Sequence, residues 1–89
     1  MEIRIEPHTL KRARERGVSP EQIEDVLRTG ELSPAYGGRS AKSKVYAYDD
    51  IWMGRRYDHQ LVKVIYAVEG GLIVTVTVVA SYGRWEGQI

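Results

Sequence analysis

The chain has 89 residues, 43% of them hydrophobic, and a formal net charge of +1. That is enough for one domain, residues 1–89, around a compact core, and the charge alone selects no partner. With no Cys and only two His, a disulfide framework, a thiolate nucleophile, a cysteine zinc site and a histidine metal site are not expected. The reading therefore includes no metal and no cofactor. No stretch reads as a signal peptide, and the longest apolar run, Leu72–Ala80, is too short to span a bilayer. A cytoplasmic protein without membrane contact is the expectation.

In chain order, Ile3 and Ile5 alternate with charged residues, the pattern of a short edge strand. Pro7 suits the first turn of a helix running to Arg16, with Leu10, Ala13 and Gly17 as its buried stripe and Gly17 ending it. Ser19-Pro20-Glu21-Gln22 then has the form of a capping box. Ile23, Val26 and Leu27 give the second helix its apolar face, and Gly30 stops it. Two or three residues join the helices, so they form a tight hairpin.

Residues 31–43, with Pro34, Gly37 and Gly38, read as a loop, and Lys44–Asp49 alternates as a strand. Residues 50–60 read as a turn or ragged strand. Leu61–Val68 and Leu72–Val79 are two further strands. A three-residue loop, Glu69-Gly70-Gly71, would pair Val68 with Leu72, Tyr66 with Val74, Val64 with Val76 and Val62 with Val78, keeping one face apolar throughout. The other face, carrying Lys63, Ile65, Ala67, Ile73, Thr75, Thr77 and Val79, is semi-polar and open to a ligand. The expected fold is a two-layer α+β domain: a helical hairpin, preceded by a short strand, on an antiparallel meander of three to four strands.

The chemistry concentrates in the first helix. His8, Arg12 and Arg16 stand at i, i+4 and i+8, one above another along a slanting row. A group that moves protons beside two permanent cations is a kit for phosphate chemistry; it is equally the form of a solvated helix face. At about 100° per residue, Arg16 flanks the apolar stripe while His8 points well away from it. Arg16 is thus the member of the row best placed for a structural bond. Arg39, Lys42 and Lys44 lie on or beside the loop and could track a phosphate backbone, with a solvated loop as the plainer reading. Tyr46 and Tyr48 on a strand could stack bases or simply pack. Asp58 and His59 are adjacent on a strand and so point to opposite faces.

The pattern His8-x3-Arg12-x3-Arg16-Gly17-Val18-Ser19, then a second helix and a β-meander ending in a Val-Thr-Val run, resembles a small prokaryotic family of uncharacterised domains. That family is similar to RelE- and BrnT-type toxin ribonucleases of the barnase–EndoU–colicin–RelE fold group. The resemblance implies a RelE-like layout and a metal-independent endoribonuclease or RNA-binding activity. Tyr82 and Arg84 match the tyrosine and basic residues that such nucleases carry in the C-terminal segment. On that basis His8 is the candidate for proton transfer, Arg12 and Arg16 for the phosphate, and Tyr82 or Arg84 for orientation or acid work. The alternative from another class is a non-catalytic interaction module, either a homodimerising domain or the partner of an antitoxin-like protein. A nuclease should gather His8, Arg12 and Arg84 in one groove; a module should expose Ile65, Ile73 and Val79 as a patch.

Overall fold

The computed structural model describes residues 1–87. The elements are β1 (Glu2–Arg4), α1 (Pro7–Arg16), α2 (Pro20–Thr29), β2 (Glu31–Ser33), β3 (Ser40–Trp52), β4 (Arg55–Glu69) and β5 (Leu72–Gly83). The strands form one sheet in the order β1-β5-β4-β3-β2. β2, β3, β4 and β5 are antiparallel neighbours, and β1 joins β5 in parallel. Both helices pack on one face of this sheet, which makes the domain two-layered α+β, as expected from the order of elements.

The sheet has five strands and is mixed, not a meander of three to four. Within the expected loop, Glu31–Ser33 pairs with Ala41–Ser43, so β3 begins four residues earlier than its alternation suggests. A three-residue strand next to Pro34 carries too little pattern to read from sequence. Nor do residues 50–60 break the sheet. β3 continues to Trp52 and turns through Met53 and Gly54, at φ 53° and 79°, directly into β4. Two consecutive positive-φ residues twist in the sense that a tight hairpin needs.

The helix ends follow the sequence closely. Ser19 Oγ accepts from the Gln22 backbone N–H, and the Gln22 side chain accepts from the Ser19 N–H, both at 3.1 Å. α2 buries Ile23, Val26 and Leu27. The buried stripe of α1 is displaced from the expected one: Thr9 and Ala13 are buried, whereas Leu10 is only half-buried. Thr9 can enter the core because it has a partner there. Thr75 Oγ1 donates to Thr9 Oγ1 at 2.9 Å and accepts from the Glu6 N–H at 3.0 Å, so all three groups are satisfied.

The β4–β5 register also differs from the expected one. The loop is two residues long, with Glu69 opposite Leu72 and Tyr66 opposite Thr75. The register then shifts, and Ile65 faces Thr77, Val64 faces Val78 and Val62 faces Ala80. Val76 is the extra residue. By reversing the alternation it lets Thr75 and Val78, an odd number of positions apart, both be buried on the helix side. The core is Ala13, Val18, Ile23, Val26, Leu27, Val62, Val64, Tyr66 and Val78, with Ile3, Ile5, Tyr46, Ile73 and Ala80 around it.

Candidate functional site

β1 covers the outer edge of β5 only over Leu72–Val74. Beyond that, among the described residues, no strand pairs with this edge, and its backbone groups need other partners. Arg16 supplies one: its Nη1 donates to the Val78 carbonyl at 2.5 Å. Side chains four apart on a helix share a slanting row, and Arg16 is the member of the His8-Arg12-Arg16 row that is bonded to β5. His8, in the first turn of α1, is exposed. Arg12 is half-buried and donates to Glu15 at 2.7 Å; that hydrogen bond holds the Glu15 carboxyl below its usual range.

Aromatic rings gather at the C-terminal end of α1. Tyr82 donates its hydroxyl proton to the Arg16 carbonyl at 2.6 Å and accepts from Gln60 Nε2 at 3.0 Å. Gln60 also donates to the Gly17 carbonyl at 3.0 Å and accepts from Gln22 Nε2 at 2.9 Å. Trp52 stacks on Tyr82 with ring centroids 4.8 Å apart, and Tyr48 meets it edge-on at 5.1 Å. Burial pushes the Tyr82 phenol above its ordinary pKa. With its proton given to a backbone carbonyl and its ionisation opposed by burial, Tyr82 anchors the end of α1 and is poorly set to act as an acid.

Arg84 lies past Tyr82, where it pairs with Asp58 at 3.6 Å and with Glu86. His8 and Arg16 are separated by about 12 Å of helix rise, and Arg84 is at the Arg16 end. The structure thus brings Arg16 and Tyr82 together but not His8 and Arg84. The basic residues of the second half are also dispersed. Lys42 Nζ donates to the Leu27 carbonyl at 2.9 Å, and Lys44 Nζ donates to Asp25 at 2.7 Å and to Thr29 at 2.9 Å. Both lysines hold the C-terminal turn of α2, where positive charge suits the helix dipole. Tyr46 donates to the same Asp25 carboxylate at 2.6 Å. The bonds from Lys44 and Tyr46 lower the Asp25 pKa, while burial and the facing carboxylate raise that of Tyr46. Arg39 is exposed, in a turn closed by its N–H on the Tyr36 carbonyl. Beside the α2 end is a cleft of about 240 Å³ lined by Thr29, Gly30, Glu31, Ser43, Lys44, Val45 and Leu61. It contains no imidazole and lies apart from the row on α1.

The expected apolar patch is divided. Val79 is 39% exposed on the helix-free face and Ile65 is half-buried there, but the register shift carries Ile73 to the core side. Two functional-looking groups were not found from sequence. Gln60 is 2% exposed and joins α1, α2 and β5; a lone amide in the buried alternation Gln60-Val62-Val64-Tyr66 is its signal. His59 was set aside with Asp58, and the two do diverge: Asp58 bonds Arg56 at 2.8 Å, while His59 Nδ1 accepts the Trp85 N–H at 2.7 Å. No pattern in sequence signals that the chain folds back after Gly83.

Residues 5–79, which take in the row on α1, both helices and most of the sheet, match a family described as a domain of unknown function, DUF4258. The chain belongs to the DUF4258 family. No curated protein and no solved structure matches it. The span that defines this DUF4258 domain includes His8, Arg12 and Arg16 and ends before Tyr82 and Arg84. Among the described residues, no helix of the domain is long and apolar enough to cross a membrane.

Proposed function

We propose that this DUF4258 domain is a toxin-type module of the RelE/BrnT kind that acts on RNA as a metal-independent endoribonuclease through the His8-Arg12-Arg16 row of α1. The observation that supports this reading is the Arg16–Val78 bond, which ties the last member of the His8-Arg12-Arg16 row to β5. In this scheme His8, exposed at the head of the row, takes the proton of the 2′-hydroxyl, the 2′-oxygen closes on phosphorus to give a 2′,3′-cyclic phosphate, and the 5′-oxygen leaves with a proton from solvent. Arg12 uses its remaining N–H donors on the phosphate as charge builds there. Arg16 is a positioning residue, held to the backbone of β5, and Tyr82 fixes the end of α1 behind it.

The test is cleavage of a mixed single-stranded RNA by purified protein in the presence of a chelator. General acid–base catalysis contributes about 10²–10⁴-fold, so His8→Ala should lower the rate by that factor with folding unchanged. Equal cleavage by wild type and His8→Ala overturns the assignment. Absence of cleavage in folded wild-type protein favours the second reading, a non-catalytic module that dimerises or binds an antitoxin-like protein. The exposed Val79 on a sheet face that neither helix covers supports that alternative.

A further inference from the structure

His59 lies in a row across the helix-free face, between Ala47 of β3 and Gly83 of β5. After Gly83 the chain turns back over this row. The Trp85 N–H donates to His59 Nδ1 at 2.7 Å, and a Cβ on Gly83 would stand 3.3 Å from the Trp85 ring, so the indole lies against the glycine. A backbone N–H can be accepted only by an imidazole nitrogen that carries no proton. The neutral ring therefore has its hydrogen on Nε2, and Nδ1 is the acceptor. Protonating the ring places a hydrogen on Nδ1 and sets two donors against each other.

We propose that His59 is a proton-operated latch for residues 84–87: neutral imidazole holds Trp85 on the sheet, and imidazolium releases it. The charged groups around the ring are few. Asp58 precedes it on β4 and is bonded to Arg56; Arg84 and Glu86 come from the C-terminal segment and pair with Asp58 and with each other. The neighbours across the sheet, Ala47 and Gly83, carry no charge. The Arg84–Glu86 pair lies within the segment, and the Arg84–Asp58 pair that ties it to β4 is exposed and weak, which leaves the imidazole bond and the indole contact as the main hold on the segment. Histidine is the side chain whose charge changes between about pH 5 and pH 8, so that interval is where the latch is tested. It would uncover the end of the sheet face that carries Leu61, Ser81 and Val79 in the next rows.

Amide hydrogen exchange of the full chain by NMR tests this. The Trp85 amide should be protected at pH 8 and lose that protection by pH 5, over the same interval in which the His59 ring nitrogens titrate. His59→Asn, whose carboxamide oxygen accepts at either pH, should keep Trp85 protected throughout. His8→Ala should behave as wild type. Protection that is undiminished at pH 5, or that is lost equally in His59→Asn, overturns the proposal. So does a Trp85 transition in the unmodified chain that is displaced from the His59 titration, a readout that does not depend on any variant folding.

Discussion

Gly17 is a position where a single methyl group should do heavy damage. It ends α1 at φ 74°, a left-handed conformation, and its N–H bonds the Ala13 carbonyl. A side chain there costs about 1–2 kcal/mol from conformation alone. A Cβ would also stand 2.6 Å from the Tyr82 hydroxyl and 2.7 Å from the Trp52 ring. Neither can retreat freely, because Tyr82 is bonded to the Arg16 carbonyl and Trp52 is stacked on Tyr82. Forcing such a group into packed surroundings adds about 1–3 kcal/mol. Gly17→Ala should therefore cost about 2–5 kcal/mol in urea unfolding, which for a domain this size lowers Tm by roughly 10–30 °C. Gly37→Ala is the control. It has nearly the same φ, 67°, but open space around the added atom, so it should cost only the conformational part. If the two variants lose equal stability, Trp52 and Tyr82 do not pack against the end of α1 as described.

Two further expectations concern buried and half-buried polar groups. Thr75→Val leaves the Glu6 N–H and the Thr9 hydroxyl without their shared partner, and unfolding should show a loss of about 1–3 kcal/mol with the fold retained; a neutral substitution would refute the role given to this contact. Asp25 has a folded-state pKa below its ordinary 3.8, through the bonds from Lys44 and Tyr46. Its contribution is therefore complete above that value and is lost as pH falls through the lower, folded-state pKa. Asp25→Asn should remove this part of the acid dependence, measured as a flatter stability curve below pH 4; an unchanged curve would show that the carboxylate is not coupled to folding.

What the sequence reveals here depends on whether the signal is local. The Ser19 capping box, the Gly17 terminus and the Val62-Val64-Tyr66 alternation are set by neighbours a few residues away, and each appears in the structure as expected. β2 was missed because three residues beside a proline give no period. The β4–β5 register was missed because one unpaired residue, Val76, reverses the alternation without any mark in composition. Thr9 reads as a polar residue in a helix until its partner, 66 positions later, is known. The site divides the same way. The row of His8, Arg12 and Arg16 is visible as a spacing, while the bond that ties Arg16 to Val78 is long-range and leaves no mark in it. The separation of Arg84 from His8 and the return of Trp85 to His59 are products of the completed sheet.

The parallel pairing of β1 with β5 places the first strand beside the last. Since α1 also packs chiefly on β5, the two earliest elements of the chain find their main partner only after about eighty residues have been made. α2 can settle on β3 and β4 sooner, but Thr9, Ala13 and Arg16 have nothing to cover or cap them until β5 exists. Closing so long a loop is an entropic step that local helix formation does not lighten. On a ribosome, Thr9 and Arg16 therefore stay without their partners until β5 has left the exit tunnel.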